Sequence, residues 1–411
     1  MHVLYITAPP PAPLQLDIEF ISYDTIQHEN FEFNINGSDV IVFLHVQKTG
    51  GTTFEKHLVN DIDLESPCLC RRKPKKHRKK HNHNHQRNNN NSKSQRRSLM
   101  AMTTDLENNQ RKKRKLKCDC FRPNGKMSNW LFSRYNIGWK CGLHPDWTEL
   151  TECVDDKLNS IDNTIMRRRY FYITMLRDPV RRYLSGIMIY TQMCEFLNLH
   201  YFPDFRATVL TRFGSIIILP SYLKNISHLH FFFSEFKHTQ RGATWKGSIH
   251  MCNGQPASRA EIPPCYDDLN YDDWSDVSLQ EFMNCSSNLA NNRQTRMLAD
   301  LRLVHCYNTS FMSSKARDMI MLNSAKTNLE KMAYFGLTEK QHESQILFQH
   351  VFDLQFKTSF KQNSETTSSN AQSDLDKSVI DKITELNHLD VDLYEFAKKL
   401  FDERFAEINE I

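Results

Sequence analysis

The sequence predicts an α/β fold: a central parallel sheet with helices on both faces, in one domain with a helical C-terminal extension. Three observations point there. Val40–Leu44 is a short β-branched and aromatic run, followed by a glycine turn and a helical segment from Phe54. Tyr170–Leu176 repeats the pattern, with Arg177-Asp178-Pro179 at its end and a helix from about Val180. Met332–Leu337 is a third apolar run, set between helical patterns at Ser314–Met332 and Glu339–Phe352.

The first of these units, DVIVFLHVQKTGGTTFEKHLVN over Asp39–Asn60, carries the densest chemistry. A turn between a strand and a helix N-terminus is an anion site, because backbone N–H groups point outward and the helix dipole favours negative charge. Gly50 and Gly51 let the backbone approach a phosphate where a Cβ would obstruct it. Thr52 and Thr53 add hydroxyl donors, and Lys48 adds a mobile positive charge. The Walker pattern is excluded: it places the Lys after its last Gly, and here Lys48 precedes both glycines. By spacing alone the stretch is a phosphate loop or a plain β-turn-α connection.

Composition narrows the class. The 411 residues allow one large α/β domain or two smaller ones. The net charge is +5, and much of the excess lies in Arg71–Lys117, a bias that suits a polyanionic partner: nucleic acid, anionic lipid or an acidic glycan. Pro67–Lys117 is of low complexity and cannot bury apolar area, so it is expected to be disordered. His81, His83 and His85 within it read as solvated linker. The 11 cysteines are spread along the chain. Cys68-Leu-Cys70 and Cys118-Asp-Cys120 are too tight for a zinc knuckle and look like the two ends of a disulfide-closed loop. With sequons at Asn36, Asn225, Asn284 and Asn308, they favour an oxidising, lumenal compartment. Neither a signal peptide nor a membrane span is visible: Met1–Thr7 is short and Pro9–Pro13 breaks it.

The remaining elements follow in order. Residues 1–32 are a poorly patterned lead-in. Cys118–Cys153, dense in tryptophan, other aromatics and cysteine, is a Cys-pinned region beside the first helix. Ile187–Phe233 is apolar and aromatic and interrupts the polar text around it. Asn288–Leu301 is helix-like, with Leu289, Met297, Leu298 and Leu301 apolar. Ser378–Ile411 reads as one long amphipathic helix, its stripe running from Val379 to Leu400.

The string HVQKTGGTTFEKHLV closely resembles the 5′-phosphosulfate loop of the heparan sulfate 6-O-sulfotransferases. Further strings, LRDPVRRYLS, GWKCGLHPDW and HTQRGATW, extend the resemblance over about Phe33–Phe405, apart from two insertions. It implies a P-loop-NTPase-like sulfotransferase fold over residues 33–366, with 367–411 as the C-terminal extension. The donor it implies is 3′-phosphoadenylyl sulfate (PAPS), and the acceptor a heparan sulfate chain rather than nucleic acid. It also implies a type II Golgi membrane protein, so the expectation is that this sequence lacks its true N-terminus and its anchor. The insertions are the basic segment 71–116 and the segment 186–234. The second reads as a retained intron: a Gly186 codon can hold a donor GT, Phe231–Ser234 codons can supply a pyrimidine tract ending in CAG, and removal joins Ser185 to Glu235 in frame.

Sulfuryl transfer, like phosphoryl transfer, is mostly positioning and charge stabilisation. It needs a nucleotide cradle, a cation at the bridging oxygen and a base for the acceptor hydroxyl. The resemblance assigns the cradle to His45, Val46, Gln47, Lys48, Thr49, Gly50, Gly51, Thr52 and Thr53, with Lys48 as the cation. No metal is required if the lysine supplies that charge. Arg177 and Ser185 match the residues that hold the 3′-phosphate, and an Arg at a strand end suits a dianion. Gln362 matches the last donor-binding stretch, although the tyrosine that follows in the family is absent. His144 matches the general base, and an imidazole can take the proton of a sugar hydroxyl near neutral pH. Lys117, Arg134, Trp139, His238 and Trp245, with His144, match glycan contacts, and Leu116 stands where the family tends to have a second basic residue. Two other readings compete. One is a different carbohydrate sulfotransferase or small-molecule kinase of the same fold, although no Walker B Asp is evident. The other is a non-enzymatic heparin or nucleic-acid binder driven by Arg71–Lys117.

Overall fold

The computed structural model describes residues 19–29, 31–72, 116–125, 127–138, 140–142, 144–186, 251–258, 260–263, 278–361, 372–373 and 375–409. Residues 73–115 of the basic insertion and 187–234 of the second insertion lie outside them. In chain order the elements begin with β1 (Glu19–Phe20), α1 (Tyr23–His28), β2 (Asp39–Leu44), α2 (Gly51–Asn60), β3 (Leu69–Arg72), β4 (Leu116–Asp119) and β5 (Leu131–Phe132). There follow α3 (Trp147–Asp162), β6 (Arg169–Leu176), α4 (described over 179–186), β7 (Met251–Cys252), β8 (Gln255–Pro256), α5 (Leu279–Asn284) and α6 (Arg293–Leu298). The last are α7 (Ser314–Lys331), β9 (Tyr334–Leu337), α8 (Gln341–Phe352), α9 (Lys377–Leu386) and α10 (His388–Asn409).

The predicted parallel sheet is present, with five strands. β2 pairs with β6 along its length, Asp39 opposite Arg169 through Leu44 opposite Thr174, and with β5 on its other side. β1 and β9 share the far edge of β6 end to end, β1 beside Arg169–Tyr170 and β9 beside Ile173–Leu176. All pairings are parallel, so the strand C-termini gather on one edge, where open α/β sheets bind ligands. All six β2 residues are buried, which is why this strand reads as a continuous apolar run rather than an alternation. Its one acid, Asp39, takes two 2.6 Å hydrogen bonds from Arg169 and one of 2.7 Å from the Asn34 N–H.

Several elements depart from the sequence reading. The lead-in supplies β1 and α1, and Tyr23 of α1 is buried with its hydroxyl donating to the Arg404 carbonyl. The C-terminal tail is two helices, broken at Asn387. There the fully buried side chain bonds the Ile383 carbonyl, while its Oδ1 accepts from the Asn292 N–H and from Arg182, contacts a continuous helix would not free it to make. Only Arg293–Leu298 of Asn288–Leu301 is α-helical, because Asn292 sits in the left-handed region at φ 47° and starts the helix afresh. A short 3₁₀ turn follows at Leu301–Val304, capped by Asp300. Helix α3 lies where the sequence reading places only a Cys-pinned region, and Asp146 and Glu149 form a reciprocal capping box at its start.

The paired CxC motifs behave as expected. Cys70 and Cys118 stand opposite each other in the antiparallel β3–β4 ladder and are joined, as are Cys68 and Cys120, so the chain leaves at Arg72 and returns opposite it at Leu116. Further disulfides join Cys141 to Cys153 and Cys252 to Cys306. Among the described residues no helix is long and apolar enough to cross a membrane.

Candidate active site

The loop after β2 is built to hold its backbone open. Lys48 and Gly50 both have positive φ, 69° and 78°, and Gly50 caps α2 with no side chain of its own. The first-turn N–H groups of α2 therefore lack the side-chain cap that a Ser or Asp would give. Gly51 is required for a different reason. A Cβ there would lie 2.6 Å from His45 Cδ2 and 3.1 Å from the Phe43 ring, so any side chain would push His45 out of place. Phe54, one turn on, fixes α2 by stacking on Tyr334 of β9 at 5.8 Å and meeting Phe348 of α8 edge-on at 5.7 Å.

Each flank of the loop is tied to a different element. The Thr338 hydroxyl, just past β9, donates to the Thr49 carbonyl at 2.6 Å. Arg177, at the end of β6, donates from Nη1 to the Lys48 carbonyl at 3.2 Å. Arg293 of α6 donates from Nε to Gln47 Oε1. Gln294 then clamps Arg177, accepting from its N–H and donating to its carbonyl, both at 2.9 Å.

The third side is a buried charge cluster. Glu55 of α2 is fully buried, and its Oε2 lies 3.5 Å from His45 Nδ1 and 3.2 Å from Arg134 Nη2. Its Oε1 accepts the Arg134 N–H at 2.9 Å, and Arg134 donates to the Thr52 hydroxyl at 2.8 Å. The Arg134 side chain is 5% exposed, so it points inward at α2 and braces the loop after β2. Burial, with the nearby charges of Arg134 and Lys48, pushes the His45 pKa well below its ordinary value and keeps the ring neutral.

His144 meets this cluster through the His45 ring. It is buried, with φ 55°, and its ring lies edge-on to that of His45 at 5.1 Å between centroids. The left-handed backbone turns the chain between the Cys141–Cys153 disulfide and the Asp146 cap of α3. Glu149 holds that turn in place, accepting from the Asp146 N–H at 3.0 Å and from the Met251 N–H at 2.8 Å. The segment returning at Met251 is thereby stitched to the His144 loop.

The loop residues, Arg134, His144 and Arg177 thus converge on one end of the sheet. Ser185 stands on α4, half-buried, beyond Arg177. Lys117 is half-exposed on β4, 3.7 Å from Asp119. Trp139, His238, Trp245 and Gln362 lie outside the described residues. Sequence reasoning passed over Glu55, Arg293, Gln294 and Thr338. Arg293 and Gln294 left no periodic signal, because Arg293–Leu298 reads RQTRML and only Met297 and Leu298 are apolar.

Burial raises the Asp146 carboxyl to about 7 and, with Asp146 beside it, lifts Glu149 well above the usual carboxylate range. An acid raised in the folded state contributes stability that is complete below its unfolded pKa of about 4 and is lost as pH rises through the folded value. Thermal stability should therefore carry a falling component between about pH 4 and pH 7. Asp146→Asn keeps a good N-cap but does not titrate. Its melting temperature should fall less steeply over that window, and an unchanged slope would show that Asp146 does not carry the effect.

The sequence profile of the Sulfotransferase family matches residues 31–122 and 148–397. The chain is 44% identical over 377 residues to heparan-sulfate 6-O-sulfotransferase 3 of Mus musculus, covering 91% of this chain and 60% of that protein. The same protein of Homo sapiens is 43% identical, again over 91% of this chain and 60% of its own length. Heparan-sulfate 6-O-sulfotransferase 1 of Homo sapiens is 41% identical over 378 residues, 92% of this chain and 69% of that protein. The chain thus spans about three-fifths of the length of the first two of these relatives.

Proposed function

The chain belongs to the sulfotransferase family, and from that premise we propose that it moves the sulfuryl group of PAPS to the 6-hydroxyl of glucosamine units in heparan sulfate. The observation that carries this reading is the edge-on contact of His144 with His45, which sets a candidate base against the nucleotide loop. The loop fits such a donor: Gly50 holds a left-handed turn at the start of α2 and brings no side chain to cap it. A phosphate can therefore approach the uncapped first turn of α2. When bound, the donor supplies a sulfuryl group on a phosphate leaving group. Lys48 balances the charge that grows on the bridging oxygen. Arg177 and Ser185, at the end of β6 and on α4, take the 3′-phosphate. His144 accepts the proton of the attacking hydroxyl. The four disulfides among the described residues suit an oxidising compartment, and we place the reaction in the Golgi lumen.

The test is transfer of ³⁵S from labelled PAPS to heparan sulfate, followed by disaccharide analysis, with ATP and Mg²⁺ as the competing donor. Label on the glucosamine 6-position is the expected result. Label on another position, or phosphate transfer from ATP, would replace the reading with one of its competitors.

A further inference from the structure

Helix α10 reaches the donor loop through its first turn, although it lies in the segment set apart as an extension. Asp390 is fully buried and caps a helix that is not its own. Its Oδ2 accepts from the Gln294 N–H at 3.0 Å, and its Oδ1 from the Thr295 N–H at 2.8 Å and hydroxyl at 2.9 Å. Asn292, the N-cap of α6, makes no capping bond to α6. Its Oδ1 instead accepts from the N–H groups of Leu389 and Asp390, at 3.0 and 3.3 Å. The two helices cap each other. Arg182 of α4, also buried, balances the carboxylate with Nε 3.7 Å from Asp390 Oδ2.

What this arrangement seats is Arg293, which touches the donor loop, and Gln294, which holds Arg177 beside it. Arg293 holds Gln47, on the 5′ side of the proposed nucleotide, and Gln294 holds the backbone of Arg177, on its 3′ side. A second strut from α10 meets the same place. The Tyr394 hydroxyl donates to Glu339 Oε2 at 2.7 Å, and Glu339 accepts the Asp178 N–H at 3.3 Å and lies 3.9 Å from Arg177 Nε. A buried carboxylate is kept only where its acceptors are used, and the helix start that Asp390 caps carries the Arg293 and Gln294 side chains to Gln47 and Arg177.

We infer that Asp390 is a positioning residue for the sulfuryl donor, setting Gln47 and Arg177 at the span of the nucleotide while touching neither. The inference rests on the donor assignment above. The experiment measures adenosine 3′,5′-bisphosphate binding by calorimetry, and steady-state KM for donor and acceptor, on the full chain. Asp390→Asn should raise the bisphosphate Kd and the donor KM about tenfold, with the acceptor KM within about twofold. Phe401→Leu is the control: Phe401 is buried in the same helix against Phe335, so the change should lower the melting temperature and leave the bisphosphate Kd unchanged. Thr295→Val, which cuts only the hydroxyl bond to Asp390, should raise the donor KM about threefold and serves if Asp390→Asn does not fold. An unchanged Kd in folded Asp390→Asn, or an unchanged donor KM in Thr295→Val, would overturn the inference. A wild-type chain that binds no bisphosphate would overturn the donor assignment and this inference with it.

Discussion

Replacing His144 by Asn is expected to lower turnover about 10²–10⁴-fold while leaving bisphosphate affinity within about twofold. Asn is chosen over Ala because His144 has φ 55°, a left-handed backbone that Asn adopts at little cost. The variant thus removes the imidazole without straining the turn between the Cys141–Cys153 disulfide and α3. The neighbouring His45 is a poor substitute base. Burial and the charges of Arg134 and Lys48 hold it neutral, and its Nδ1 already faces Glu55. The loss should appear in kcat, because a base acts on the hydroxyl only as the sulfuryl group arrives. Single-turnover transfer with preformed enzyme–donor complex measures that step directly. A variant retaining more than a tenth of wild-type turnover would move the base elsewhere.

The sheet was legible because its central strands are apolar on both faces. Val40–Leu44, Tyr170–Leu176 and Met332–Leu337 stand out as predominantly apolar runs. β1 and β5 have two residues each and owe their pairing to the neighbouring strand, so no local pattern announces them. The breaks at Asn292 and Asn387 were illegible for a related reason. Each Asn ends or starts a helix through bonds to residues far along the chain, and periodicity sees only local neighbours. The same limit hid half of the site. Glu55 lies inside the string that carries the family resemblance, yet its burial between His45 and Arg134 depends on a loop some eighty residues later. Arg134 was assigned by resemblance to the glycan, and its guanidinium is turned onto α2.

Lys48→Asn should lower turnover about 10²–10³-fold, with a smaller rise in donor KM. Lys48 too has a positive φ, 69°, so Asn again separates loss of charge from backbone strain, which Ala would mix. The backbone of this residue has a separate task, since its carbonyl accepts from Arg177, and that bond does not involve the Lys48 side chain. What disappears is the single mobile cation that the loop itself contributes. In the ground state a bound donor's charge is shared among its phosphate oxygens, and on the proposed reading the backbone N–H groups of α2 would meet much of it. Charge on the bridging oxygen grows only as the bond to sulfur breaks, so a lysine aimed there acts mainly on the transition state. A rise in donor KM with unchanged kcat would mean that Lys48 merely binds the nucleotide. A loss of kcat with affinity nearly preserved would place it at the leaving oxygen.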